Sequence, residues 1–590
     1  MIRPSLLIVI SVCCPFEVAA TSTSTSTLTS TAASMNNNNS QMTNLPSSSS
    51  PSRLATDSEW AELNFNDGDD GAEVIPLPVG EDDEQNVEIE CIDVAIIGGG
   101  IAGLAVAAGL ESINSNANTN ANTNATANAS SSDGDCKKIS YKVFERAPRL
   151  RTKSQGMLAV RPFGFMALHN IHHDLPSAVS NEGADLRHTL GINFNGGTSE
   201  SSADTSTSGG ANGYGDIIPN ATVNYVPNID DKERKDENNR GYISSLIRWS
   251  ALQNVLASFV NTDNVITGHS LYSFSESDTD SDDEYPVRLT FENGRAVKCK
   301  ALIGCDGLFS KVRKQMYPSD DPVIFFGQLN WNSIIPTDII ANEFRSRKNT
   351  VTFGGNLITE PKWSSYINDC GNNHTFWQFR LQDPAKAKAV SGSNGRGGLG
   401  LPGVKEALLD LVKGYPALYE VIRQTPEGEI FERCILGRKA VPSSWGGVPE
   451  GGASGRITLV GDAAHGMHPA PGHGGNSALL GACTLVEKIR DASAPKSGSA
   501  SCNDGDGKKA SYDWKTILKH YEDTHRPRAE FLQLRSNYVG SGKRPTKEHD
   551  TLVNTWLSRL FLPGEATVPK EVDKILREFD VLKQEHVTAL

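Results

Sequence analysis

Nowhere beyond its first twenty residues does this 590-residue chain hold 18 consecutive apolar residues, so the sequence predicts no transmembrane span. Cysteine is sparse and unpatterned. Ten cysteines include no C-x-x-C pair, and Cys13 and Cys14 fall in the leader, which supports neither a disulfide scaffold nor a zinc module. Positive charge is also wanting: the net charge is −14 and no basic stripe is present to replace phosphate counterions, which excludes nucleic acid as a partner. The acidic excess is local. Residues 57–90 carry thirteen Asp and Glu and no Lys or Arg, so the remainder is nearly neutral and the tract reads as a solvated segment.

Stretches rich in Ser, Thr, Asn, Asp and Gly at 1–90, 112–136, 192–216, 387–400 and 491–511 lack the apolar content to build a core. About 415 residues remain, enough for two layered domains. Residues 1–20 have Arg3, an apolar run from Leu6 to Cys14 and a Val18-Ala19-Ala20 end, the pattern of a signal peptide. Thr21 to Thr56 is hydroxyl- and amide-rich, with Arg53 as its one charge, and resembles a transit peptide. Entry to the secretory pathway is therefore expected, with a plastid or the cell exterior as equal destinations. Sequons at Asn124, Asn128, Asn220 and Asn373 would mark glycosylated loops if the chain stays in that pathway, and are otherwise accidents of composition.

The first folded signal is Ile92-Asp93-Val94-Ala95-Ile96-Ile97, a β-branched run that reads as a buried parallel strand. Gly98, Gly100 and Gly103 follow as G-x-G-x-x-G and open a helix from Leu104. In that motif Gly98 permits the tight turn, Gly100 lets backbone N–H groups approach a pyrophosphate, and Gly103 lets helix and strand pack closely. The helix N-terminus then faces negative charge. A second strand, Tyr141 to Phe144, ends at Glu145, with Arg146 next; an acid there accepts hydrogen bonds from ribose hydroxyls. The acid lies 42 residues past Gly103 instead of about 20, and the 25-residue tract 112–136 accounts for the excess. A carboxylate at this point repels a 2′-phosphate, which leaves FAD or NAD as the nucleotide.

Two later segments repeat the strand-then-acid pattern. Ala301 to Cys305 is an apolar strand that runs into Asp306 and Gly307, and Ile457 to Val460 runs into Gly461 and Asp462. The loop from Pro469 through Gly472, His473 and Gly474 to Asn476 then opens a helix over 477–490. Acids at strand ends point into the ligand crevice of an open sheet.

With these three motifs in this order, the chain resembles the FAD-dependent aromatic hydroxylase superfamily, single-component flavoprotein monooxygenases that include hydroxybenzoate and salicylate hydroxylases and zeaxanthin epoxidase. The resemblance covers about residues 92–535 and includes Gly327 to Trp331, Leu436-Gly437-Arg438, Tyr521-Glu522 and Arg526-Pro527-Arg528. It implies an α/β fold: a Rossmann-like FAD-binding domain interleaved with a mixed or antiparallel-sheet substrate domain, plus C-terminal helices. Residues 91–217, 301–317 and 456–490 are assigned to the first, 318–445 to the second, 218–300 to both and 513–590 to the helices.

The resemblance further implies that Asp462 holds the ribityl chain, that Asp306 lies against FAD and the nicotinamide donor, and that Pro469 to Asn476 wraps the isoalloxazine edge. Arg248 matches an arginine of the family, one residue out of register. Three other positions depart from the pattern: His473 stands where Gln is usual, Gly481 where an acid is usual, and Phe163 where Asn is common. His465, His468 and His473 lie in the flavin loop without a joining Cys or carboxylate pattern, and no metal site is expected.

Such a protein takes FAD as cofactor, NAD(P)H as co-substrate, and O₂ with a small organic molecule, aromatic or isoprenoid-like, as substrates. In this family reduced flavin adds O₂ to form a C4a-hydroperoxide that passes one oxygen on, so no side chain is assigned a catalytic role. The pocket is expected between the motifs, where Val287 to Phe291 alternates as antiparallel sheet, with Trp331, Phe376, Trp377 and Phe379 weighed as lining or core. Two other readings stay open. A flavin halogenase would carry Trp-x-Trp-x-Ile-Pro, but Ser333 replaces the second Trp in Trp331 to Pro336. A flavin-binding sensor without turnover would tolerate the changes at His473 and Gly481.

Overall fold

The computed structural model describes residues 89–123, 138–151, 156–186, 188–192, 244–277, 283–318, 323–345, 350–356, 362–382, 398–438, 441–442, 444–445, 455–470, 472–493 and 512–540. The leader, the linker to residue 88, the sequons at Asn124, Asn128 and Asn220, Pro471 and the chain beyond 540 lie outside these residues, as does most of each low-complexity tract.

The apolar run after the linker forms β1 (Glu90–Ile97), buried from Ile92 onward. It is flanked in parallel by β2 (Tyr141–Phe144) and β10 (Ala296–Gly304), and β2 is flanked in parallel by β7 (Val265–Ile266). Burial on both faces explains the continuous hydrophobic reading of β1. Its buried acid, Asp93, is satisfied by the Ser140 hydroxyl and backbone N–H and by Lys300 at 3.1 Å.

β10 changes partner along its length. Ala296 to Cys299 pair antiparallel with β9 (Val287–Phe291), which continues to β8 (Leu271–Glu276), while Leu302 to Gly304 pair in parallel with β17 (Ile457–Leu459). The alternation at 287–291 is antiparallel as expected, but it extends the nucleotide sheet and is not a wall of the second sheet.

Helix α1 (Ile101–Thr123) is longer than the sequence suggests, continuing over the first twelve residues of the Asn/Ala tract. No Gly or Pro interrupts 112–123, so nothing there stops a helix. The Asn114 side chain bonds both the N–H and C=O of Ile139, and Glu111 accepts the Tyr141 hydroxyl at 2.6 Å, which fixes where the chain re-enters the fold.

A second sheet has the order β15 (Gly398–Leu399), β16 (Phe431–Arg438), β11 (Val323–Pro336), β14 (His374–Gln382), β13 (Lys362–Asp369), β12 (Thr350–Asn356) and β5 (His188–Ile192). Helices α6 (Val404–Leu411) and α7 (Pro416–Gln424) bury their apolar stripes against one face of it. A small third sheet joins β3 (Met157–Val160), β6 (Ser245–Arg248) and β4 (Ala184–Asp185). Around it lie α2 (Pro162–Ile171), α3 (Leu175–Glu182) and α4 (Trp249–Ala257).

Short helices α5 (Lys311–Met316) and α8 (Asp462–His465) follow the later two strand ends. Helix α9 (Gly474–Ser493) packs against α1, and α10 (Trp514–Gly540) runs unbroken through Pro527.

Candidate functional site

Because β10 lies between β1 and β17 at its carboxyl end, three strand ends open side by side. Cys305 donates its N–H to Ile97 O at 2.8 Å, and Val460 donates to Gly304 O at 2.9 Å. Gly98, Asp306 and Gly461, separated by more than 350 residues of chain, thus share one rim.

The glycines divide into two kinds. Gly98 has φ +107, and a Cβ on it would lie 2.5 Å from Cys305 O; a Cβ on Gly103 would lie 2.0 Å from Gly98 O. Those two serve packing. A Cβ on Gly100 would meet nothing within 4 Å, nor would one on Gly307, so these positions border open space. The N-terminus of α1, at Ile101, faces the space beside Gly100, where backbone N–H groups and the helix dipole favour an anion.

Glu145 lies where the second strand predicts. Its Oε2 accepts the Gly99 N–H at 2.7 Å and its Oε1 the Ala147 N–H at 2.9 Å, tying the acid to the glycine turn. Gln253 on α4 was not anticipated: its Nε2 donates to Gly99 O at 2.7 Å and holds the same turn from the other side. An isolated polar residue on the buried face of an apolar helix was the available signal.

Asp306 is occupied by its own chain. It accepts from the Ser310 hydroxyl at 2.5 Å and from the N–H groups of Lys311 and Val312 at 2.7 and 3.2 Å, capping α5. Burial raises its pKa against the pull of those hydrogen bonds. Asp462 differs: it is exposed on the rim, and among the described residues its carboxylate has no side-chain hydrogen bond. A Cβ on Gly474 would lie 4.0 Å from its Oδ1, so the first turn of the 20-residue helix α9 begins beside it.

The loop from Pro469 to Asn476 is held at both ends. Pro469 O accepts the Gly472 N–H, and the Asn476 side chain accepts from Arg161 N at 2.8 Å while donating to Ala159 O and Gly472 O. Gly164 is required there, since a Cβ on it would lie 2.2 Å from Asn476 Oδ1. His468 is buried; its Nδ1 accepts the Ala470 N–H at 3.0 Å, leaving Nε2 as donor to Gln328 Oε1 at 3.1 Å on β11. This loop is therefore fastened to the second sheet.

Arg248 and Arg146 are not brought to the rim contacts described above. Arg248 pairs with Glu182 at 3.1 Å, and Asn372 donates to the same carboxylate oxygen at 2.6 Å, so this arginine joins the third sheet to the β13–β14 hairpin. Arg146 is exposed just past β2. His465, His468 and His473 do not gather; among the described residues the one such group close enough to share an ion is half-buried His172 with exposed His173 and Asp174.

Of the four aromatics weighed as lining or core, three are core. Trp331, Trp377 and Phe379 lie in the core between the second sheet and α6 and α7, with Trp331 Nε1 donating to Glu432 and Trp377 Nε1 to Thr425 at 2.8 Å. Strand alternation decides this: odd positions of β11 and β14 face those helices, and Phe376 falls on the opposite face.

Comparisons with known proteins agree with this geometry. The family model described as "FAD binding domain" matches residues 447–501. The chloroplastic zeaxanthin epoxidase of Spinacia oleracea is 28% identical over 243 residues, 40% of this chain and 30% of that protein. The chain thus spans about a third of the length of the zeaxanthin epoxidases that head its matches. Aurachin C monooxygenase/isomerase of Stigmatella aurantiaca is 26% identical over 398 residues, 67% of this chain and 80% of that protein. Among solved structures, Klebsiella pneumoniae HpxO complexed with FAD and uric acid superposes with a TM-score of 0.51 at 16% identity, over 83% of this chain and 96% of that one.

Strand-end acids, glycine cradle and these likenesses point the same way: the chain carries a matched FAD-binding segment and is similar to FAD-dependent monooxygenases. The residues fit the cofactor. The open face at Gly100 and the start of α1 could take a pyrophosphate, Glu145 a ribose hydroxyl beside its two backbone contacts, Asp462 the ribityl hydroxyls, and the start of α9 the flavin edge.

Proposed function

We propose that this protein is an NAD(P)H-dependent monooxygenase that inserts one atom of O₂ into a small organic substrate. The observation that carries the reading is the single rim formed by Gly98, Asp306 and Gly461, with the start of α9 beside Asp462. FAD, when bound, supplies the activation of O₂ at its C4a carbon. The chain's own part is to bind and orient. Free N–H groups in the first turn of α9 would stabilise negative charge on a flavin edge held beside them. Asn476 keeps that turn against β3, and His468 fastens the loop to the sheet that would bear the substrate.

The changes at His473 and Gly481 are compatible with turnover in this reading. A Cβ on Gly481 would lie 2.8 Å from His525 Nε2, so His525 on α10 takes the room an acid would need.

Rapid mixing of the FAD-loaded protein with NADPH or NADH, then with O₂ and a substrate library read by mass spectrometry, tests the proposal. A product heavier by one oxygen is expected. Reduction without any oxygenated product would indicate a flavin-binding protein without turnover, and a chloride-dependent product would indicate a halogenase. For residues 1–56 we propose plastid import through the secretory route, a reading that the chloroplastic relatives support. A fluorescent fusion of that segment found outside the cell would overturn it.

A further inference from the structure

The two faces of the second sheet differ in chemistry. One is the aromatic face against α6 and α7. The other carries, in register across four adjacent strands, Arg433 on β16, Asn330 on β11, Arg380 on β14 and Ser364 on β13. The next row on that face holds Asn332, Gln378 and Tyr366. Among the described residues neither arginine joins an ion pair. The Nε atoms of both are buried without a hydrogen-bond partner, as is Oδ1 of fully buried Asn330. Acids adjacent in sequence do not relieve them, because Glu432 points to the opposite face and holds Trp331.

This face looks toward the flavin loop. Gln328, two residues before Asn330 on β11, holds His468, and the Arg380 charge reaches His468 strongly enough to help depress its basicity. Tyr366 packs against Leu186 and Leu246, the pair on which Met157 and Ala159 of β3 also pack, and β3 leads into the Arg161 turn that Asn476 clamps. Burial lowers the pKa of Arg433 to about 10, and the repulsion of Arg380 adds to it. Two half-buried guanidinium groups on one face, with no counter-charge among the described residues, are costly unless an anion completes them.

We infer that Arg380 and Arg433 bind a carboxylate of the organic substrate, with Asn330 between them. The inference rests on the proposed monooxygenase reading for the identity of the occupant. β16 and β14 flank β11, so the two arginines stand about 9.5 Å apart across the sheet, a span that brackets one small oxyanion. A neutral carotenoid-like molecule would leave both charges uncompensated. The phosphates of the nicotinamide donor share the oxyanion chemistry, and the test separates them.

The FAD-loaded full chain is titrated with benzoate, 4-hydroxybenzoate, anthranilate and octanoate, and with the neutral isosteres benzamide, phenol, aniline and octanamide. NADPH is titrated separately. Flavin difference spectra and thermal shift report binding without any need for turnover. At least one carboxylate is expected to bind about tenfold or more tighter than its isostere, and Arg380→Gln and Arg433→Gln should each remove most of that preference while leaving the isostere within about twofold. Equal binding of acids and isosteres, or no response to any carboxylate, would overturn the inference. So would variants that weaken NADPH alone. If a variant does not fold, the wild-type comparison of acid with isostere still decides. Carboxylate binding without oxygen transfer would sustain the anion site and count against the monooxygenase reading.

Discussion

Phe163 and His473 meet edge to face, their ring centroids 6.1 Å apart and their planes at 76°. These are two of the positions where the chain departs from the usual residues of the superfamily it resembles, and each accounts for the other: an aromatic at 163 gives the imidazole at 473 a ring to pack on. The pair couples α2 to the loop that begins α9. Replacing each by Leu, alone and together, is expected to show a coupling energy of about 0.5–1.5 kcal/mol in urea unfolding. Strict additivity of the two changes would mean that the contact contributes nothing.

Gly100 and Gly103 separate cofactor binding from folding. Gly103→Ala places a Cβ 2.0 Å from Gly98 O and should destabilise the apoprotein by about 1–3 kcal/mol. Gly100→Ala meets no protein atom within 4 Å, so the apoprotein should melt as wild type while its FAD dissociation constant rises at least about tenfold. An unchanged FAD affinity in that variant would remove the pyrophosphate from this turn.

Asp462→Ala should purify without yellow colour and keep its thermal stability, since that carboxylate holds no protein partner among the described residues. Normal flavin occupancy, measured by absorbance against protein concentration, would contradict the ribityl assignment.

Stability should fall on mild acidification. His465, His468, His473 and His525 are buried, and burial depresses all four pKa values, His465 to about 4; nearby cations depress them further, among them Arg313 for His465 and Arg535 for His473. Below the unfolded value of about 6.5 the unfolded chain binds more protons than the folded one, so stability is full above that pH and is lost as pH falls toward 4. Each histidine should contribute about 1.4 kcal/mol per pH unit in that window. Urea midpoints at pH 7.5, 6.0 and 5.0 would test the slope, and a flat profile would show that these imidazoles accept protons without cost.

Excising residues 116–136 should leave flavin content and melting temperature unchanged, because among the described residues the side-chain hydrogen bonds that dock this segment are those between Asn114 and Ile139. Removing 112–136 takes Asn114 with it and should cost about 1–3 kcal/mol by stranding the Ile139 backbone. Equal stability of the two deletions would discount that anchor.

Most of the nucleotide half was legible because each of its signals is local. A β-branched run, a glycine turn and an acid at a strand end mark β1, β2, β10 and β17 within one or two residues of where they occur, apart from an earlier start to β10. What escaped depends on pairing across distance. Nothing near Gln253 announces that it holds Gly99, and nothing near Arg248 announces its ion pair with Glu182, 66 residues away. The aromatic residues of β11 and β14 were ambiguous because alternation assigns two faces without saying which one meets helices. α1 outran its expected end because a tract poor in apolar residues still contains no helix-breaker.

β10 meets β9 early in its course and β17 only near its end, and β17 enters the chain at Ile457. During synthesis the hairpin neighbours are at hand at once, yet the last third of the central strand waits without its second neighbour until some 150 further residues have left the ribosome. A nascent polypeptide can therefore collapse around β1 and β10 long before it is able to retain a flavin, and maturation of the holoprotein is gated by the arrival of its last quarter.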